Sequence, residues 1–233
     1  MTIDDVMLRE SLDKYIQLRV KRPGLFRGLF TGQIVTDEET IKDYARKNNV
    51  LIGVVYENET ICLVVDLLRE FAKDGTVHYH TEERIIQKDD VERFVVVPKF
   101  GGKYAMINRY KHTIQDYSLE FPSGIIDPKM TLMENLEEEL QGQLRISSVS
   151  NIADIGAVCP DVMICTERIR VLTCDISKPR NLNKDGLMDG CLLSLSEIIS
   201  LINSGTLTDA VTLAVLEKID AKANPFGDIN DLI

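Results

Sequence analysis

The chain has no apolar run approaching the roughly 18 residues that a membrane helix needs, so no membrane span and no membrane partner are expected. It has no CxxC pair, and its three histidines do not form a metal-ligand cluster. The five cysteines, Cys62, Cys159, Cys165, Cys174 and Cys191, are odd in number and irregularly spaced, and most lie in apolar runs such as ICLVV and RVLTC. Buried thiols are therefore expected, rather than a structural metal site or a disulfide framework. Positive charge is in deficit, with 27 Lys and Arg against 37 Asp and Glu, a formal net charge of -10. An acidic chain is a poor general binder of nucleic acid, so no nucleic-acid partner is expected, although a local site for a nucleotide is compatible with it. Repeats and low-complexity tracts are absent. The first residues, MTIDDVMLRESLDKY, are acidic and broken by charge, unlike a secretory signal, and a cytoplasmic location is the expectation.

What is present is a 233-residue chain with 44% apolar content, enough for one large core or two small ones. Residues 4 to 20 read as a helix with Leu8, Leu12, Ile16 and Leu18 as its apolar positions. After the Pro/Gly region RPGLFRGLFTG, DEETIKDYARK reads as a second helix, its acids toward the start and its basic residues toward the end, as the helix dipole favours. From residue 51 the period shortens. LIGVVYENETICLVVDLLRE reads as two strands with a turn near Glu57 to Glu59, and Asp66 is placed at a strand end. VHYHTEERIIQ reads as a third strand of the same antiparallel sheet. ERFVVVPKFGGKYAMINRYK is a hairpin turning at Gly101 and Gly102. A short strand at 119 to 121, a loop from Pro122 to Pro128 and a helix from Thr131 to about Leu144 follow. IADIGAV and ERIRVLTCDI supply further strands. SLSEIISLINSG is a helix stopped by Gly205, and TDAVTLAVLEKIDAK is the last helix, with Thr208 as its N-cap. Frequent hairpins and irregular alternation predict an α+β sandwich rather than a doubly wound parallel sheet. The expected divisions are a helical extension over 1–50, an antiparallel sheet over 51–90, a main domain over 91–225 and a tail over 226–233.

The richest stretch is LEFPSGIIDPKMTLMENLEEELQGQLRI, residues 119 to 146. On a helical wheel Leu132, Met133, Leu136, Leu140 and Leu144 share one face, which must bury against a sheet. Glu134, Glu137 and Glu138 point away from it and read as a solvated acidic face. Glu139 borders the apolar face beside Asn135, Gly142 and Gln143, where a carboxylate can point into a cleft. Either it is an ordinary boundary glutamate or it is a metal ligand. As a ligand for a hard ion such as magnesium it needs other oxygens, from Glu120, Glu167 or a carbonyl of the Pro122–Gly124 loop. Arg109, Lys111 and His112 form a basic cluster after a strand, either a solvated strand end or a clamp for diphosphate oxygens. Alternation puts Glu120 on the strand face opposite Leu119 and Phe121, as a candidate ligand or substrate contact. Phe121 and Pro122 read as packing residues, and nothing singles out Tyr79, Tyr104, Tyr110 or Tyr117 for stacking on a base.

This stretch resembles the Nudix box, the loop–helix motif of the Nudix hydrolases, which cleave a nucleoside diphosphate linked to another moiety. Laid without gaps on the family pattern, Gly124 takes the first glycine, Met130 the place of a glutamate, and Glu138 the place of an arginine. Glu139 keeps the glutamate that follows it. The later pair of glutamates becomes Gly142 and Gln143, and the closing glycine becomes Arg145. MINRYKHTIQDYSLEFPSG is similar to the block before the box in the ADP-ribose pyrophosphatase branch, with Lys111 for an arginine. GAVCPDVMICTER resembles the loop carrying a further glutamate there, matched by Glu167. The tail LLSLSEIISLINSGTLTDAVTLAVL resembles the C-terminal helices of that branch, and VVYENETICLVVDLLRE the N-terminal sheet that pairs its subunits. The likeness covers about residues 51 to 218, and the first 45 residues resemble a helical extension of some bacterial members.

The resemblance implies a Nudix-like α/β/α sandwich preceded by an antiparallel sheet, in a homodimer. It implies Glu139 and Glu167 as catalytic residues, and Arg109, Lys111, Glu120 and Gly124 at the substrate. Ser123 (through its carbonyl), Glu139 and Gln143 would lie around Mg2+ or Mn2+. Two functions follow from it. One is metal-dependent hydrolysis of ADP-ribose or a related nucleoside diphosphate derivative, with weakened activity. The other is a catalytically inactive member, needing no cofactor, that binds a nucleotide or serves as a structural or regulatory partner. The departures at Gly142 and Gln143 divide them: glycine offers no ligand, and glutamine offers an oxygen but no countercharge.

Overall fold

The computed structural model describes residues 3–27, 32–180 and 189–223, so the tail read at 226–233 lies outside the described residues. Two units emerge. The first takes the described residues up to Asp90 together with Asp161–Glu167, and the second takes Val91–Pro160 and the described residues from Arg168 on.

In the first unit, α1 (Asp5–Lys21) begins where the Asp4 side chain accepts from the Val6 N–H at 2.7 Å. Its buried stripe is Leu8, Ser11, Leu12 and Tyr15, one residue short of the expected Ile16. A 3-10 turn (Pro23–Phe26) and β1 (Gly32–Ile34) precede α2 (Glu38–Asn48), whose N-cap Asp37 accepts from the Thr40 N–H at 2.9 Å. The remaining strands are β2 (Gly53–Glu57), β3 (Ile61–Phe71) and β4 (Val77–Gln87). All pairs are antiparallel: β4 runs along the whole of β3 on one edge, while β2 and β1 share the other. The stretch read as a helical extension thus contributes a strand to this sheet. Segment 161–167 joins the same unit. The Ile85 N–H donates to the Ile164 carbonyl at 2.7 Å, and Cys165 forms a parallel bridge with Ile85, against the free edge of β4.

Asp66 does not end a strand. It sits in the middle of β3, 4% exposed, with Arg84 Nε 2.6 Å from its Oδ2 and the Tyr15 hydroxyl donating to its Oδ1. Arg84 also donates to the Leu25 carbonyl at 2.6 Å and lies over the Phe26 ring, 4.6 Å from its centroid. One buried ion pair therefore ties α1 and the 3-10 turn to the sheet. Burial beside the Asp66 carboxylate pushes the Tyr15 hydroxyl pKa well up, so Tyr15 stays a donor.

The second unit is built on alternation. Its strands are β5 (Arg93–Phe100), β6 (Lys103–Lys111), β7 (Asp116–Glu120), β8 (Ser123–Ile125), β9 (Val149–Val158), β10 (Ile169–Ile176) and β11 (Asp189–Leu193). They form one sheet in the order β11-β6-β5-β10-β9, with β7 along β6 and β8 along β5. β10 pairs with β5 in parallel, and the other pairs are antiparallel. Successive residues point to opposite faces. Phe94, Val96, Ala105 and Ile107 pack with Leu136, Leu140 and Leu144 of α3 (Leu132–Leu144). Val95, Val97 and Met106 pack on the other face with Ile198 of α4 (Leu195–Asn203) and Val215 of α5 (Ala210–Ala223). The result is a layer of sheet between one helix and two. Each of the three α3 leucines is 0% exposed, and burial of such a side chain contributes about 1.5–3 kcal/mol.

Several details depart from the sequence reading. Met133, expected on the buried face of α3, is 47% exposed. The Pro122–Pro128 loop contains β8. The side chain at the start of α5 is Asp209, accepting from the Thr212 N–H at 2.8 Å, rather than Thr208. Cys62 and Cys174 are buried, and burial pushes the Cys174 thiol up to about 12, whereas Cys159 is exposed. No helix among the described residues is long and apolar enough to cross a membrane.

Removing one partner of a buried ion pair leaves the other uncompensated. Asp66→Leu should lower the unfolding free energy by about 3–5 kcal/mol in urea titrations, and adding Arg84→Leu should recover most of the loss.

Candidate functional site

The start of α3 is held by a capping box. The Glu134 N–H donates to Thr131 Oγ1 at 3.2 Å, and the Thr131 N–H returns a bond to Glu134 Oε2 at 2.7 Å. The Thr131 N–H and hydroxyl both donate to the Glu134 carboxylate and hold it below its ordinary range. Asn135, 5% exposed, clamps the preceding loop. Its Nδ2 donates to the Asp127 and Thr131 carbonyls at 3.1 and 3.0 Å, and its Oδ1 accepts from the Asp127 N–H at 2.7 Å. The loop between β8 and α3 is thus fixed by side chains of α3 itself.

One turn further on, Glu139 lies against β8. A Cβ on Gly124 would stand 2.7 Å from Glu139 Oε2 and 2.8 Å from its Cδ and Cγ. A side chain at position 124 would therefore force the Glu139 carboxylate to shift. Gln143, 6% exposed, completes the arrangement. Its Nε2 donates to the Ser123 carbonyl at 2.9 Å and also to Glu139 Oε1. Ser123, Gly124, Glu139 and Gln143 therefore meet at one point.

A second cluster lies on β6 and β7. Glu120 pairs across the strands with Ile107, whose side chain packs on the α3 face, so Glu120 shares that face. Arg109 and Lys111, two and four residues beyond Ile107, project to the same side. Lys111 Nζ is 2.6 Å from Glu120 Oε2, and Arg109 Nε is 3.8 Å from Oε1. The Glu120 side chain is 7% exposed and sits between two cations.

A cleft of about 710 Å3 opens beside α3, lined by Arg109, Glu138, Glu139, Gly142 and Gln143, with Ile125 and Ile126 supplying apolar surface. Arg109 links this cleft to the Glu120 cluster, while Lys111 and Glu120 do not line it. Glu138, read as part of a solvated face, stands in the lining. Its position beside Glu139 and four residues before Gly142 carried that signal. Asp127 lines the cleft as well, leaving an acidic rim with Arg109 as its cation. Glu167 belongs to the Asp161–Glu167 segment of the first unit.

Whether Mg2+ or Mn2+ fits here turns on the donors. Among the described residues there is no group of three or more His, Cys, Asp or Glu side chains that could hold a metal ion. Glu139 brings one carboxylate, and Gly142 brings none. The Gln143 group aimed at the Ser123 and Glu139 oxygens is an amide nitrogen, a hydrogen-bond donor that repels a cation. The residues as arranged do not fit a hard divalent ion, which wants several converging oxygens.

The sheet between helices, with its cleft beside the loop–helix turn, defines a mixed α+β architecture. No family model matches the chain, and no curated protein sequence matches it. A crystal structure of an ADP compounds hydrolase shares its fold, with a TM-score of 0.59 over 86% of this chain and 98% of that one, at 13% identity. At that identity the likeness is one of fold alone.

The two glycines of the site should respond oppositely to alanine. Gly124→Ala should displace the Glu139 carboxylate and cost about 1–2 kcal/mol, as overpacking does. Gly142→Ala fills a helical position where an added Cβ meets nothing within 4 Å, and should stabilise by about 0.5–1 kcal/mol. Urea unfolding of both variants checks the pair.

Proposed function

We propose that this chain is a Nudix-like protein whose second unit takes a nucleoside diphosphate derivative, with ADP-ribose as the first candidate. We further propose that it turns this ligand over weakly or not at all. The volume of the cleft suits a small molecule. Arg109, the cation in the cleft lining, is placed to pair with a diphosphate, while Lys111 on the same strand face offsets Glu120 beside it. The acidic rim keeps the affinity modest. The observation that carries the reading is the Gln143 amide between the Ser123 carbonyl and Glu139. Family chemistry needs metal ions neutralised by several carboxylates to stabilise the cleaving diphosphate, and electrostatic stabilisation of this kind is often the largest catalytic term. Good ligand binding does not replace it, since uniform binding leaves turnover unchanged.

The second reading is hydrolysis of ADP-ribose or a related compound with Mg2+ or Mn2+. It is favoured by the retained Gly124–Glu139 packing and by the fold shared with an ADP compounds hydrolase. Chromatographic detection of AMP released from ADP-ribose, with each metal, separates the two. Expected is turnover far below about one per second, the low end of ordinary enzymes. Turnover at or above that rate, abolished by Glu139→Gln, would establish the second reading. If the native chain is silent and Gly142→Glu combined with Gln143→Glu awakens activity, the missing acids are the cause. Calorimetry with ADP-ribose in chelator should show binding without metal.

We also propose a cytoplasmic homodimer, paired through the first unit, with no nucleic-acid or membrane partner. An antiparallel sheet has edges and faces that a second copy can cover. Light scattering should give twice the 26.3 kDa of the chain; a monomer mass refutes the dimer.

A further inference from the structure

We propose that Gln143 stands in for a divalent cation. Its amide holds the oxygens such an ion would otherwise bridge, and the single change Gln143→Glu converts the site into one for Mn2+ or Mg2+. The inference rests on the reading of the cleft given above and deepens it.

The stoichiometry is the first argument. An amide nitrogen carries two hydrogens, and Gln143 Nε2 has two acceptors, the Ser123 carbonyl at 2.9 Å and Glu139 Oε1. Two oxygens of partial or full negative charge are thereby satisfied by one neutral group. The second argument is the other end of the amide. Gln143 Oε1 is buried and has no hydrogen-bond partner among the described residues. Leaving a buried acceptor without a donor is unfavourable, so the amide orientation is set by its nitrogen. Turned over, it would bring three oxygens together with no positive charge between them.

A carboxylate in place of this amide creates that crowding permanently. Its oxygen, the Glu139 carboxylate and the Ser123 carbonyl would converge and repel, unless a hard cation entered and took all three as ligands. The open space beside Gly142, where an added Cβ meets nothing within 4 Å, leaves room for water to complete the shell. The native glutamine therefore keeps β8 and α3 together in the absence of metal, and the variant needs metal to do the same.

The test uses the full chain without nucleotide, with Mn2+ titrations followed by the electron paramagnetic resonance of free Mn2+. Thermal melts in chelator and in Mn2+ accompany them. Gln143→Glu should bind Mn2+ at least about tenfold more tightly than the native chain. It should melt below the native chain in chelator and regain stability with Mn2+, while the native melt ignores the metal. Combining Glu139→Gln with Gln143→Glu exchanges amide and carboxylate, and should fold in chelator and lose the gain in Mn2+ binding. Native Mn2+ affinity equal to that of Gln143→Glu overturns the proposal, as does a folded Gln143→Glu without gain. A Gln143→Glu chain that stays unfolded even in Mn2+ overturns it too, because the ion is expected to restore the contact. Absence of ADP-ribose binding by the native chain would instead overturn the nucleotide reading and leave these metal measurements standing.

Discussion

The close approach of β8 to α3 governs the second unit. It is favoured by the lack of a side chain at Gly124, where the Glu139 carboxyl occupies the space a Cβ would take. It also requires a donor between the Ser123 carbonyl and the Glu139 carboxylate, which Gln143 supplies. The approach is fixed at both ends. On one side β8 is paired to β5 through Val95, Phe94 and Arg93. On the other, Leu136, Leu140 and Leu144 anchor α3 in the sheet while Asn135 and the capping box fix its entry. A helix so held has no freedom to withdraw Glu139 from the strand, so the chemistry of the cleft follows from the packing beneath it.

Two buried carboxylates, Asp66 and Glu120, and the half-buried Glu139 are compensated in three ways. Asp66 has a guanidinium and a phenol. Glu120 has an ammonium at 2.6 Å and a guanidinium at 3.8 Å. Glu139 has a neutral amide. A cation supplies a full countercharge as well as hydrogen bonds, whereas the amide supplies hydrogen bonds alone. Glu139 differs from the others in lining the cleft.

Much of this was legible wherever a local period or a required residue type decides the outcome. Alternation places Glu120 opposite Phe121, and the structure puts Phe121 in the core with α4 and α5 while Glu120 turns toward α3. The helix wheel puts Leu136, Leu140 and Leu144 inside and Glu139 at the border. What failed to read was set by contacts distant in sequence. Asp66 looks like a strand end until Arg84 and Tyr15 reach it. Tyr15 replaces Ile16 in the buried stripe because its hydroxyl has a buried acceptor to meet. The three residues of β8 carry no period, and pair only because β5 offers an edge. Glu138 is exposed, as the wheel predicts, and it also edges the cleft, which a wheel does not show.

Gly142 and Gln143, where the sequence departs from the Nudix-box pattern it resembles, are physically unequal. At Gly142 the loss of a side chain leaves empty space, and the helix bears only the weaker propensity of glycine. Nothing else depends on that position, so it is permissive. At Gln143 the substituted group makes two hydrogen bonds that no carboxylate can make, because a carboxylate has no hydrogen to donate to the Ser123 carbonyl or to Glu139. A chain that had merely lost its acids would leave the Ser123 carbonyl and the Glu139 carboxylate facing each other without a donor between them. Here they are joined. Position 143 is therefore filled by a residue that stabilises the metal-free arrangement, and a cation entering the site must first displace the bonds that now hold it together.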